Sequence, residues 1–362
     1  MNESEYYLAF SNAPGVGPIK FEKLRKAFGS AEEAWEAEQT ELEQILKPVL
    51  TSKFLEFREK FDIENYLKKL KKQKISFVSL IDDKYPALLK EIPNPPIVLF
   101  VRGNTGLLKT NSISIVGTRK ITVYGATVTR MFAADLASSG LTIISGMAIG
   151  VDGIAHLSAL EVGGATIAVL GNGVDLPFPR ENEHIYHKIL ENGGLIISEF
   201  APGESPSVGS FPARNRIIAG LSLGVLVTEG ASDSGSLITA NFGLEFGRKV
   251  FAVPGPITSS LSAAPLKLIE KGARLVVSPD DVIKELGISS FAKASADRQK
   301  SKFKNLSKEE IKIVQILENE SLQFDEIVRK LKIDSAKLGT ILSIMEVKGL
   351  LKNSSGSYSL SN

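Results

Sequence analysis

The chain reads as an α/β protein built on a doubly wound, mostly parallel sheet, and three observations predict it. Apolar runs beginning near Ile113, Thr142, Thr166, Leu195, Gly224, Lys249 and Arg274 recur every 24 to 29 residues. Most intervals between them carry helix-like apolar spacing, the alternation that covers parallel strands with crossover helices. Glycine or a small polar residue closes nearly every run, as in Val116-Gly117-Thr118, Ile144-Ser145-Gly146, Leu170-Gly171-Asn172-Gly173 and Val253-Pro254-Gly255. In such a sheet the closing loops gather on one edge, where a ligand binds.

Residues 1–74 form a helical amino-terminal domain. Leu8-Ala9-Phe10 leads into Pro14-Gly15-Val16-Gly17, and Phe21, Leu24 and Phe28 continue at helical spacing. Two short helices joined in this way have the form of a helix-hairpin-helix, whose glycine N–H groups can hold a DNA phosphate. The same glycines also suit a plain turn between helices. Lys68, Lys69, Lys71, Lys72 and Lys74 crowd the end of a helical stretch near Gln73, either as a binding patch or as a solvated face that favours the helix dipole.

Residues 75–109 are expected to be an adaptor to the core. Pro93, Pro95 and Pro96 precede the run Ile97–Val101, which marks an edge or connecting strand because proline cannot donate to an inner ladder. The core spans 110–288 and starts with Ile113–Val116, a buried strand that stops at Gly117 and delivers Arg119 into a loop. Thr122 to Gly125 then open a helix with Val128, Met131, Phe132 and Leu136 on one face. Residues 289–305 are small and polar, and read as a linker. Residues 306–362 begin with Ser307 three residues ahead of Glu310, a capping box that opens a helix with Ile311, Val314 and Leu317 inward. A second helix uses Phe324, Ile327, Val328 and Leu331, and a third uses Leu338, Ile341, Leu342, Met345 and Leu350. With a closing hairpin over 351–360 they make a winged helix-turn-helix. Its third helix offers only Lys337 and Lys348 as basic residues, a poor base reader and a better partner-binding or phosphate-contacting surface.

Composition narrows the chemistry. The absence of cysteine removes disulfides, thiol catalysis and thiolate metal sites together. The acidic start Met1–Glu5, with no long apolar block behind it, leads us to expect no signal peptide, no membrane span and a cytoplasmic protein. Residues 1–74 hold 13 basic and 13 acidic side chains, residues 75–291 hold 17 and 19, and residues 292–362 hold 13 and 9. A polyanion would therefore meet a focused pocket rather than a broad positive face.

Four stretches could carry that pocket. Gly117-Thr118-Arg119-Lys120 ends the first core strand. Ser145-Gly146 through His156 precedes a helix, which Asp152 is expected to cap and in which His156 is expected to be a packed structural histidine. Phe211-Pro212-Ala213-Arg214-Asn215-Arg216 puts two arginines and an asparagine at a helix start, where they oppose the dipole unless an anion lies between them. Ser234-Gly235-Ser236-Leu237 supplies hydroxyl and backbone N–H donors, a phosphate cradle without a Walker lysine. Glu245 and Arg248, three apart, are expected to form an internal salt bridge. His184, His187 and Glu183 lack the converging ligands that a metal needs, so neither metal nor cofactor is expected. No adjacent base and nucleophile are visible, so no catalytic residue is assigned.

These stretches, in this order and with these flanks, resemble the DprA/Smf family of DNA-processing proteins over nearly the whole chain. The motifs carrying the resemblance include Tyr124-Gly125 after Arg119, Phe211-Pro212 through Ser222, and Phe251-Ala252-Val253-Pro254-Gly255. The resemblance implies an extended Rossmann-like core, a sterile-alpha-motif or helix-hairpin-helix amino-terminal domain and a carboxyl-terminal winged helix. It implies binding of single-stranded DNA, protection of incoming strands in natural transformation, loading of the recombinase RecA, and a homodimer formed through the core. Carried over by position, Arg119 would neutralise a phosphate. Gly117, Ser145 and Gly146 would allow close backbone approach, and Phe211 would contact a base. Arg214 and Arg216 would support the pocket or tie loops together, and Gly235, Ser236 and Leu237 would contact a nucleotide. Family members frequently place a basic residue or histidine just before the Phe-Pro pair. Ser207-Val208-Gly209-Ser210 has none, which implies weaker DNA binding or compensation by Lys120. A different class, nucleotide phosphoribohydrolases of the lysine-decarboxylase-like kind, is similar in its core and would use Glu245 and Arg248.

Overall fold

Six helices come first in the computed structural model: α1 (Glu3–Asn12), α2 (Pro18–Phe28), α3 (Ala31–Glu36), α4 (Gln39–Leu46), α5 (Pro48–Lys60) and α6 (Ile63–Lys72). They close around aromatic packing, with the ring of Phe10 centred 5.1 Å from Phe21, 5.2 Å from Trp35 and 5.4 Å from Phe54. The structure describes residues 1–288, 307–317, 321–347, 350–354 and 356–360. The linker expected over 289–305 lies outside them, as does Lys348. The chain divides at residue 292 into two compact units.

The first unit is organised by a nine-stranded sheet. Its strands are β1 (Ser76–Ser79), β2 (Val98–Gly103), β3 (Ser112–Val116), β4 (Thr142–Ser145), β5 (Thr166–Val169), β6 (Leu195–Ser198), β7 (Gly224–Val227), β8 (Lys249–Ala252) and β9 (Arg274–Leu275). Their order across the sheet is β1-β2-β6-β5-β4-β3-β7-β8-β9. The seven strands from β3 to β9 run parallel, as the recurring apolar runs predict. The proline-led β2 is a connecting strand: it pairs antiparallel with β1 on one side and with β6 on the other, so the adaptor region extends the core sheet.

Helices cover both faces. After the short α7 (Ala87–Lys90) come α8 (Val123–Ser138), α9 (Val151–Glu161), α10 (Glu183–Glu191), α11 (Ser210–Leu221), α12 (Ser236–Glu245), α13 (Ala263–Glu270) and α14 (Pro279–Leu286). Val128, Phe132 and Leu136 of α8 are buried against Ile113 and Ile115 of β3 in one cluster, with Met131 at its margin. On the other face the serines that interrupt the β3 run let α11 approach closely, for Ser112 Oγ donates to Leu221 O (2.9 Å) and Ser114 Oγ to Ile218 O (2.8 Å). The chain leaves β3 toward β4, β5 and β6 on one side, and β7, β8 and β9 lie on the other. Loops beyond β3 and β7 therefore diverge, which opens a crevice at that switch point.

The second unit contains α15 (Lys308–Leu317), α16 (Phe324–Leu331) and α17 (Ser335–Val347), with β10 (Leu322–Gln323), β11 (Leu351–Ser354) and β12 (Ser357–Leu360) in the order β10-β12-β11. Ser307 and Glu310 exchange both bonds of the expected capping box. Ile313 rather than Ile311 joins Val314 and Leu317 inside, Ile311 being 41% exposed. The strand β10 adds to the expected hairpin, too short to carry a period of its own.

Candidate functional site

Glycine-ended strands bring the loops after β3, β4, β5 and β7 to one edge of the sheet, and the start of α11 closes over them. At the β3/β7 switch point lies a cleft of about 610 Å³ lined by Gly117, Thr118, Arg119, Phe211, Arg214, Asn215, Ser234, Gly235 and Ser236. An adjoining chamber of about 480 Å³ shares Arg119, Ala148, Phe211 and Arg214 with it, and adds Gly146 and the loop from Pro177 to Glu181. Arg119 and Phe211 stand between the two. The Arg119 guanidinium lies over the Phe211 ring at 5.9 Å from its centroid and is otherwise exposed.

Beneath that pair is a buried charge network. Arg214 is 5% exposed, and its guanidinium donates to Gly146 O (2.5 Å) and to Val169 O, tying the ends of β4 and β5. Gly146 must be glycine here, because a Cβ would meet the Arg214 guanidinium at 2.4 Å. Burial pushes Arg214 down to about 10 while the Asp152 carboxylate opposes the shift and Arg119 adds to it, so the group stays cationic at neutral pH. Asp152 does not cap its own helix, whose cap is Gly150. Its carboxylate instead accepts from Gly146 N (3.1 Å) and Ala148 N (3.2 Å), folding the loop ahead of the helix. Burial raises its pKa despite the nearby Arg214. From the other side Asn182 Nδ2 donates to Met147 O and Ala148 O, both at 2.9 Å. Met147 is held at φ 63°, strain that this clamp sustains.

His156 is buried, as expected. Thr166 Oγ1 donates to Ile143 O (2.7 Å), so it accepts from His156 Nδ1–H (2.7 Å), leaving Nε2 unprotonated and without a partner. Burial, with Arg214 nearby, pushes His156 down to about 3.

Other expected site residues are placed differently. Ser145 lies under the cleft floor rather than in its lining, with its Oγ–H donating to Ile115 O (2.6 Å). Arg216 is directed away from the cleft, into a paired contact with Glu199 in which both N···O distances are 2.7 Å. Leu237 packs against the core beneath α12. In the expected cradle, Ser236 N already donates to Ser234 Oγ (3.3 Å) and Leu237 N to Ser234 O (3.0 Å), so two of its backbone donors are taken internally. Asn215 Nδ2 reaches Gly235 O at 3.5 Å, while Lys120 is exposed beside Arg119. Arg248 does not pair with Glu245: it meets Glu91 at 3.4 Å and donates to Leu88 O at 2.7 Å. Glu245 closes α12 at the end opposite the cleft, which removes the geometric basis for a hydrolase built on those two side chains.

Several contributors carry little sequence signal. Glu229 is 3% exposed and accepts from Thr122 Oγ1 (2.7 Å) and Thr122 N (3.0 Å), fastening the loop after β7 to the start of α8. Its backbone oxygen also accepts from Thr118 N (2.7 Å). Asn182, Phe178 and Arg180 arrive from the long loop after β5, whose only local sign was its proline content. An exposed guanidinium on an aromatic face, with a second buried guanidinium behind it, suits an anionic chain that also carries flat rings.

A family model described as DNA recombination-mediator protein A matches residues 76–287. The chain is 39% identical over 292 residues to Protein Smf of Synechocystis, which covers 79% of this chain and 73% of that protein. It is 45% identical over 213 residues to DNA processing protein DprA of Streptococcus pneumoniae, 59% of this chain and 75% of that one. The X-ray structure of DprA from S. pneumoniae superposes with a TM-score of 0.70 at 37% identity, over 79% of this chain and 99% of that chain. A DprA structure from Helicobacter pylori, described by its single-stranded DNA binding mode, gives 0.54 at 32% identity over 60% of this chain and 97% of that chain.

Proposed function

With this chain a member of the DNA recombination-mediator protein A family, we propose that it binds single-stranded DNA in the cleft at the β3/β7 switch point, as a DNA-processing protein of transformation and recombination. The observation that carries this reading is the Arg119–Phe211 pair at the junction of the two chambers. Arg119 offers a phosphate an exposed cation that no carboxylate has claimed among the described residues, and Phe211 offers the attached base an aromatic face. Every base has such a face, so the binding tolerates sequence. Arg214 adds a fixed positive charge from below, where low dielectric leaves it less screened than a surface lysine. Gly117, Thr118, Asn215 and the Ser234–Ser236 hydroxyls line the strand's path, and Lys120 reaches phosphates outside the cleft.

The role is binding rather than catalysis: shielding incoming strands, then handing them to RecA, with two copies joined through the core. No helix among the described residues is long and apolar enough to cross a membrane, and the proposed setting is the cytoplasm. Among the described residues, three helices and a three-stranded sheet support reading the second unit as a winged helix. Its Lys337 is already paired with Glu309, which favours a protein partner over base reading.

The test is a salt-dependent comparison of single- and double-stranded oligonucleotides binding the full chain. Single strands should bind more tightly, and Arg119→Ala should weaken them about tenfold and flatten the log–log salt slope by about 0.7. Unchanged affinity and slope in that variant would remove the cleft from the mechanism.

A further inference from the structure

The chamber beyond Arg119 has no part in the reading above except through the residues that it shares with the cleft. Its far wall is the segment Pro177–Glu181, which reaches the sheet edge from the loop after β5. Phe178 lines this wall and is 37% exposed, so its ring is accessible from the chamber. Its ring is centred 5.7 Å from that of Phe211 and tilted 31° from it. Both rings thus line the chamber as adjoining aromatic groups, with Arg119 over that of Phe211.

The segment is also fixed in place. Asn182, directly after it, clamps the loop after β4 through two bonds of 2.9 Å. Asn172 Nδ2 donates to Leu176 O (2.7 Å) and Gly173 O (3.0 Å), closing the loop from its start. Phe178 is therefore carried on a segment that is hydrogen-bonded at both ends. Arg180 is exposed at the rim, and Glu181 beside it supplies a carboxylate acceptor.

We propose that this chamber is a second nucleotide subsite, in which Phe178 stacks the base that neighbours the one on Phe211. The proposal rests on the single-strand reading and extends it from one base to two. The chemistry selects a base over a second phosphate. An aromatic wall suits a flat ring, and the Glu181 carboxylate would repel a phosphate but accept from a base N–H. Arg180 sits where the backbone leaving that base passes out to solvent.

A base-by-residue double-mutant cycle tests it. The ligands are oligothymidylates of fixed length with one abasic position moved along the strand, titrated against the full chain, Phe178→Ala and Phe178→Trp. Phe178→Ala should weaken the intact oligonucleotide about tenfold, and Phe178→Trp should restore binding. At one abasic position the Phe178→Ala penalty should disappear, because the base it would have stacked is missing. Arg119→Ala, in contrast, should weaken every ligand in the series. A Phe178→Ala penalty that is absent, or equal for every abasic ligand, would overturn the second subsite while Arg119→Ala still weakened binding. Loss of the Arg119→Ala effect as well would mean that the cleft reading itself had failed. Equal melting temperatures for the Phe178 variants keep an altered fold from imitating either result.

Discussion

Two glycine turns in this molecule look alike as sequence and differ in what faces them. The hairpin loop Pro14–Gly17, between α1 and α2, and the loops after β3 and β4 both bring small residues and a nearby cation to a helix start. In the hairpin, Gly15 adopts φ 76° and packs on Leu50, while Lys20 Nζ donates to Gly15 O at 2.9 Å. The recess it lines also holds Glu199 and Glu204. Burial raises the pKa of Glu204, with Glu199 adding to the shift. The core loops instead face Arg119 and Arg214. A glycine turn offers an anion a place only where the tertiary structure leaves the opposite wall positive.

The strongest way to break this contrast is to remove the charge beneath the core loops. Arg214→Met should cost about 3–5 kcal/mol of stability, since it leaves Asp152 uncompensated and two backbone oxygens without their donor. Thermal denaturation measures this, and a melting temperature equal to the parent's would show that the floor is not held by that charge.

Acid probes the same floor. His156 is held at about 3, against about 6.5 when unfolded, so between those values the unfolded chain binds more protons and stability falls as pH falls. Asp152, raised in the fold, contributes with the opposite sign in its own range. Melting temperatures taken from pH 7 to pH 4 should decline for the parent, and the decline should flatten in His156→Gln. Parallel curves would assign the acid sensitivity elsewhere.

A smaller effect sharpens the positive wall. Val208, 92% exposed, lines the cleft mouth within Ser207–Ser210, the stretch in which the resemblance expects a basic residue or histidine. Val208→Lys should tighten single-strand binding roughly threefold at low salt and steepen the salt slope by about 0.7. An unchanged slope would place the strand away from that side of the cleft.

The smallest expected effect lies in the hairpin. Gly17 has an ordinary φ of −88° and open space where a Cβ would stand, so Gly17→Ala should fold normally and bind single strands as the parent does. A loss comparable to that of Arg119→Ala would put a second phosphate site in the hairpin and end the contrast.

Much of the core was legible because burial on both faces makes parallel strands continuous apolar runs, and because loops must break them at intervals. The start of α8 near Thr122 and the packed state of His156 followed from local rules of the same kind. The arginines did not. Arg119, Arg214, Arg216 and Arg248 carry the same group, yet one faces solvent over an aromatic ring, one is buried, and two are paired with carboxylates. Phe178 carries no local signal, because a loop has no period against which one aromatic stands out.

The α/β alternation, the glycine-closed strand ends and the family to which the chain belongs are all written in local pattern, since periodicity and backbone permissiveness act over a few neighbouring residues. Tertiary structure alone decided which cations remain available. Arg214 is claimed by Gly146 and Val169, 68 and 45 residues away, and Arg216 by Glu199, 17 residues away. A charge is free or spent according to what the fold carries up to it, and no local pattern records that arrival.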